Sequence, residues 1–377
     1  MTYCVGWRDN KSVYIVADSA VSFKIEYKDE LSYGLSFSSF GELHEEHSRY
    51  YVEEGKLKIN NIMDQVIIGS AGSVDEIENI LESIEESLNF GISIRKALEI
   101  VMNSVTYNNA QLLIGFIEDQ RPILLCFDTK EIHEGDILHI GSGIEQESWT
   151  YRMDWFIEES IKMRATQRKF LTAVVSILQS YAMRERMMPL GVGGIFTGTS
   201  VSSEGVIWCD DITYYIFRDQ LTNFDGVTVI HRDDSLFLAS SFNSAVMIFP
   251  GRKHLGTIDL FLDKWRLEAE RLLRDSKTDH FVFTSPFYPP VILVQIDGKI
   301  HNNYFRMWKK EEGTDTKYTF AFTSLIYDAL EGKGFSDDEE LFFNWLIAEE
   351  IEYVSRRDLI IARGHQHLVD DFEGDFL

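Results

Sequence analysis

The chain has 377 residues, of which 45% are hydrophobic, 26% charged and 13% aromatic, the balance of a globular protein with more than one core to fill. A formal net charge of -25 argues against binding to nucleic acid or to anionic membranes, both of which need a basic surface. The first residues show neither the basic start nor the apolar run of a secretory signal, and no stretch is apolar for long enough to span a bilayer, so a cytoplasmic location is expected.

Tyr3, Val5 and Trp7 alternate with smaller residues and predict a strand that begins at the start of the chain. Asp9-Asn10-Lys11-Ser12 predicts a turn, and Val13 to Asp18 a returning strand. A long connection rich in Ser, Tyr and Glu follows, from Val21 to Gly55. Lys56 to Ile62 and Gln65 to Ala71 read as strands. Ser73 with Glu76 predicts a capping box, opening a helix whose apolar face carries Ile77, Ile80, Leu81, Ile84 and Leu88. Ser93 is the expected cap of a second helix.

Three strands are expected next, at Gln111–Ile117, Pro122–Phe127 and Ile137–Ile140. Helices over Glu147–Met163 and Arg168–Met183 follow, then strands at Gly194–Val201, Val206–Cys209 and Ile212–Phe217. Helices that come in pairs between runs of strands predict two stacked sheets, each covered by a helix pair. This is an α+β chain whose first unit, residues 1–218, is a four-layer αββα sandwich.

Residues 219–377 read as a further α+β unit of unassigned role. Strands are expected near Thr228–His231, Ser235–Ser240, Ala245–Phe249, His280–Thr284, Val291–Ile296 and Tyr318–Phe322. Helices are expected over Ile258–Arg274 and Glu340–Tyr353, with a last strand near Leu359–Ala362. From Leu325 onward there are 14 Asp and Glu against 4 Lys and Arg, read as a solvated acidic surface.

Cys4, Cys126 and Cys209 are few and far apart, each in an apolar run, which predicts buried free thiols. His44-Glu45-Glu46-His47 lacks the four-residue His spacing of a helical zinc motif and reads as a surface loop; His365 and His367 are equally weak metal candidates. No metal and no cofactor is expected.

Thr2 is the residue with the most chemistry to offer. Removal of Met1 would give it a free α-amine with an ordinary pKa of about 8, able to act as base for its own Oγ. Asp18 ends an apolar strand, where a carboxylate must be paired or hydrogen-bonded. Lys56 and Lys58 share a strand face, and either can be that partner and acidify the nucleophile by its charge. Gly69-Ser70-Ala71-Gly72-Ser73 is a strand-to-helix junction whose backbone N–H groups suit an oxyanion hole. Ile140-Gly141-Ser142-Gly143 is a second such junction, from strand to loop, where Ser142 can donate a hydrogen bond into the site.

Taken in order, Thr2-Tyr3-Cys4-Val5-Gly6, Asp18-Ser19, Lys58 to Ile62, Ser70-Ala71-Gly72 and Gly141-Ser142-Gly143 resemble the proteasome β-type subunits, and among these most closely the bacterial proteasome-related Anbu family. Over about residues 2–218 the resemblance implies an N-terminal-nucleophile (Ntn) hydrolase fold. It implies Thr2 as nucleophile, Asp18 and Lys58 as its catalytic partners, Gly72 as oxyanion donor and Ser142 as support for the amine. The separation of fourteen positions between Lys58 and Gly72 favours Lys58 over Lys56.

Three features depart from the family. Pro189 and Val192 stand where it carries Asp and Ser, Ala20 stands where it carries Arg, and both the Val21–Gly55 connection and residues 219–377 are additions. The expected function is a threonine-dependent amide or peptide hydrolase acting on peptide or protein substrates. An inactive scaffold or sensor that works by assembly, and an acylase for small amides, are the alternatives. The resemblance also implies homo-oligomers, while a partner ATPase is not legible in the sequence.

Overall fold

A computed structural model describes residues 2–24, 38–40, 50–104, 109–128, 131–145, 147–162, 167–184, 187–188, 191–217, 224–232, 235–241 and 245–249, with Leu267, Arg271 and short strands between 279 and 354. The chain combines helices with mainly antiparallel sheets. Strands β1 (Cys4–Arg8) and β2 (Ser12–Asp18) form the first hairpin, and β3 (Ala20–Lys24) pairs with β4 (Tyr50–Glu54). Next come β5 (Ile59–Ile62), β6 (Val66–Gly72), α1 (Val74–Asn89), α2 (Ile94–Ser104), β7 (Ala110–Glu118), β8 (Arg121–Phe127), β9 (Ile132–Glu134) and β10 (Ile137–Ile140). A 3-10 turn at Ser142–Glu145 leads to α3 (Glu147–Lys162) and α4 (Gln167–Arg184), then β11 (Phe196–Ser202) and β12 (Gly205–Trp208).

One five-stranded sheet has the order β10-β1-β2-β11-β12 and another the order β5-β6-β7-β8-β9. The period-two alternation of their strands sorts side chains between two cores. Ile67 and Leu113 face Cys4, Val13 and Ile15 across the gap between the sheets. Their neighbours Ile68, Leu112 and Ile114 face Ile80, Ile84 and Leu98 of α1 and α2. On its other side the first sheet packs Val5, Trp7, Tyr14 and Val16 against α3 and α4. Trp7 stacks on Tyr14 with ring centroids 5.0 Å apart, and Phe170 of α4 closes on both rings at 5.1 and 5.4 Å. Rings that meet this way add to their area burial and fix the angle of the helix.

Three glycines set the distance between the sheets. A Cβ on Gly69 would lie 2.5 Å from Cys4 Sγ, one on Gly115 2.7 Å from Val13 Cγ1, and one on Gly6 3.0 Å from Leu124 Cδ1. All three are on inward-facing positions, so the absence of a side chain is what lets the two backbones approach.

A seven-stranded sheet has the order β16-β15-β14-β13-β17-β18-β19, built from β13 (Ile212–Phe217), β14 (Phe224–Arg232), β15 (Ser235–Ser240), β16 (Ala245–Phe249), β17 (Asp279–Thr284), β18 (Leu293–Ile296) and β19 (Lys299–Ile300). Its strand β13 precedes residue 218 in sequence, pairs antiparallel with β14 and runs parallel to β17. Tyr214, Val229 and Leu238 of this sheet join the same apolar cluster as Trp7 and Phe170. β20 (Tyr304–Glu311), β21 (Thr314–Lys317) and β22 (Ile351–Val354) form a three-stranded sheet.

Several expectations are corrected. Lys56, Leu57 and Lys58 precede the strand rather than belong to it, since β5 starts at Ile59. Ser73 takes the extended N-cap conformation but makes no side-chain cap bond. Glu76, its expected capping partner, instead accepts the Asn109 N–H at 3.0 Å. The Val21–Gly55 connection contains β3 and β4, which its polar, irregular composition hid. Ile351 to Tyr353 lie in a strand, not a helix, because they pair with β20; the rest of the Glu340–Tyr353 helix lies outside the described residues. So do the strands near Tyr318–Phe322 and Leu359–Ala362, the motifs at His44–His47 and His365–His367 and, apart from Leu267 and Arg271, the Ile258–Arg274 helix.

Two predictions concern packing. Gly69→Ala will destabilise the fold by about 1–3 kcal/mol in urea unfolding, because the sheets must part to admit the methyl group. His231 has both ring nitrogens buried with no hydrogen-bond partner among the described residues, and burial lowers its pKa to about 4. The unfolded chain therefore binds the extra proton first as pH falls below about 6.5, and native stability drops between there and about 4. In His231→Asn the difference in urea midpoint between about pH 7 and about pH 5 will shrink.

Candidate active site

Thr2 lies at the open tip of β1, where the hairpin partner strand β2 ends in Asp18. The main chain locks this tip, with Asp18 N–H donating to Tyr3 O at 3.2 Å and Tyr3 N–H donating to Asp18 Oδ1 at 3.2 Å. Lys58 arrives from the segment before β5 and donates from Nζ to the same Oδ1 at 2.7 Å. Gly193 N–H donates to the other carboxylate oxygen, Oδ2, at 2.9 Å. Asp18 thus receives three donors while only 1% exposed, and Lys58 is 7% exposed. This answers the demand that a buried charge be paired and its remaining lone pairs used.

Burial pushes the Asp18 carboxyl up from its ordinary value, while Lys58 and the Gly193 and Tyr3 amides pull it back. Burial likewise pushes the Lys58 ammonium down, against the pull of Asp18. Both directions bring the two groups' proton affinities closer together than in water. Lys56, its rival in sequence, lines the same cleft as Thr2 and Lys58, but its ammonium pairs with Glu78 of α1 at 2.6 Å.

On the opposite side of Thr2, the turn after β10 supplies two contacts. Ser142 Oγ accepts the Thr2 N–H at 3.3 Å, and Gly143 N–H donates to Thr2 O at 3.1 Å. Gly141, at φ +93°, has no room for a side chain: a Cβ there would lie 2.2 Å from Thr2 O. Gly72 ends β6 at φ +120°, where a Cβ would lie 1.9 Å from Asn109 O. Only glycine satisfies both constraints at these two junctions.

Thr2, Lys58, Ser70 and Gly72 line one cleft of about 190 Å³, with Ala20 and Val21 of β3 and Ile77 of α1 among its other walls. The five predicted site residues therefore gather in one neighbourhood: Thr2, Lys58 and Gly72 on the cleft, Asp18 behind Lys58 and Ser142 on the Thr2 backbone. Ser70 was legible only as part of the junction. Its N–H and its Oγ both reach Lys58 O, at 3.0 and 3.2 Å, and so hold the lysine's backbone. Ser19 accepts the Ile195 N–H at 2.8 Å and anchors the glycine segment that supplies Gly193. Val192 is 1% exposed and brings no polar side chain, and Pro189 lies outside the described residues.

The three cysteines are buried and free. Burial raises the Cys4 thiol strongly and takes Cys126 to about 12, so neither is poised as a thiolate. Among the described residues no group of three or more His, Cys, Asp or Glu side chains is placed to hold a metal ion, and no helix is long and apolar enough to cross a membrane.

Lys58→Met will destabilise the protein by about 3–5 kcal/mol, because it strands the Asp18 charge in the interior. Lys58→Met combined with Asp18→Asn will recover a substantial part of that loss in a double-mutant cycle read by urea unfolding. Strictly additive losses would show that the two groups do not act as a pair. No protein-family model matches the chain, and no curated protein matches it in sequence; the chemistry of this site is read from its own residues.

Proposed function

We propose that the protein is a threonine-dependent amide or peptide hydrolase with an Ntn-hydrolase sandwich of the proteasome β type, working through Thr2 after loss of Met1. The observation that carries this reading is the placement of Thr2 on a cleft that it shares with Lys58, whose charge is held in place by buried Asp18.

In the mature enzyme the α-amine of Thr2, oriented by Ser142, takes the Oγ proton as Oγ attacks the substrate carbonyl. The Lys58 charge lowers the proton affinity of both groups. The N–H of Gly72 stabilises the tetrahedral oxyanion. The C–N bond breaks with the proton passing from the amine to the leaving nitrogen, leaving an ester on Thr2. Water, deprotonated by the same amine, then cleaves that ester and restores the hydroxyl.

One observation favours a second reading, an inactive scaffold: apolar Val192 stands where the family has a serine beside the amine. Assembly into homo-oligomers belongs to both readings.

Intact-mass analysis with a peptide epoxyketone or β-lactone separates them. The hydrolase gives a chain beginning at Thr2 and a single adduct that disappears in Thr2→Ala, with amide turnover reduced by at least about 10³-fold. Retained Met1, or an absent or Thr2-independent adduct, would overturn the hydrolase and leave the scaffold.

A further inference from the structure

Behind Thr2 runs a hydrogen-bonded chain that the reaction above does not use. Tyr3 is wholly buried, and its hydroxyl lies 3.0 Å from His139 Nδ1 in β10. His139 Nε2 lies 2.6 Å from Asp154 Oδ1 in α3. A carboxylate oxygen accepts, so Nε2 supplies the hydrogen of that contact, and Nδ1 and the Tyr3 hydroxyl share the hydrogen of the other. The two contacts hold the Tyr3 ring in one orientation.

That ring is also a platform. A Cβ on Gly143 would lie 2.8 Å from both Cβ and Cδ2 of Tyr3, so the Gly143 backbone rests directly against the ring. Gly143 N–H holds Thr2 O, and Ser142 Oγ holds Thr2 N–H. A second brace comes from β7, where Gln111 Oε1 accepts the Gly141 N–H at 3.0 Å. Both backbone groups of Thr2 thus depend on residues 142–143, whose seat is the Tyr3 ring.

We propose that His139 and Asp154 are positioning residues: through the Tyr3 ring they fix the turn at Ser142–Gly143 and so set the residue-2 backbone against the cleft. The kinetic consequence rests on the reading of Thr2 as nucleophile, but the geometric one does not.

The test uses the full chain with Tyr3→Phe, Asp154→Ala and the conservative Asp154→Asn, whose amide oxygen can still accept from Nε2. Two quantities are measured: acylation of Thr2 by a β-lactone across probe concentrations, and amide hydrogen exchange at Gly143. In Tyr3→Phe and Asp154→Ala the limiting acylation rate should fall about tenfold at unchanged half-saturation, and Gly143 exchange should quicken about tenfold. Asp154→Asn should return both towards wild type. Unchanged acylation and exchange in Tyr3→Phe and Asp154→Ala, or an Asp154→Asn as impaired as Asp154→Ala, would overturn the proposal. A wild-type chain that is not acylated would count against the hydrolase. Gly143 exchange then decides alone: faster in Tyr3→Phe and Asp154→Ala upholds the positioning role, and unchanged overturns it.

Discussion

The ion pair between Asp18 and Lys58 organises the interior around Thr2. Placing two charges away from water costs several kcal/mol per ion, roughly, and attraction between them offsets that only when every remaining lone pair is used. Here the carboxylate uses them on the chain itself, accepting the Tyr3 and Gly193 amides as well as the ammonium. One side chain thereby ties the tip of β1, the segment before β5 and the loop before β11 to a common point. The pair gives modest net stability for the charge that it buries, and what it supplies instead is a fixed meeting place for three parts of the chain.

That meeting place requires the sheets to lie close, and the residues between them are chosen accordingly. Gly6, Gly69 and Gly115 leave the space that Leu124, Cys4 and Val13 occupy. Lys58 belongs to the second sheet's approach and Asp18 to the first, so a wider gap would stretch a 2.7 Å contact beyond hydrogen-bond length. Glycine at the interface and charge at the site answer the same geometric demand.

Much of this was legible in the sequence. Strands such as Val66–Gly72 and Ala110–Glu118 declare themselves as short apolar runs because both of their faces are buried, and helices such as Val74–Asn89 because burial of one face writes a helical period into the residues. The choice of Lys58 over Lys56 came from the family resemblance alone; in the structure Lys58 is the lysine that meets Asp18. Other features were hidden because they depend on partners distant in the chain. The Tyr3–His139 contact spans 136 positions and looks, residue by residue, like two unrelated strand positions. Glu76 matched a local capping rule but met Asn109 instead, a case of tertiary contact overriding local chemistry. The β3–β4 hairpin was obscured by the polar stretch between its strands.

The segment that this hairpin bounds has a further role in the architecture. Ser39, fully buried, offers both its N–H and its hydroxyl to Glu54 Oε2 at the end of β4, while its carbonyl accepts from Ser240 Oγ in the seven-stranded sheet. Next to it Phe40 meets Tyr214 edge to face at 5.3 Å. Immediately beyond Glu54, Gly55 N–H bonds to Ser19 O, one residue from Asp18. The segment between β3 and β4 and the seven-stranded sheet therefore interlock through the Ser39–Ser240 hydrogen bond and the Phe40–Tyr214 contact. Shortening either one alone would strip Ser39 O or Ser240 Oγ of this partner in a buried setting, so the two segments behave as one structural unit although they lie far apart in the chain.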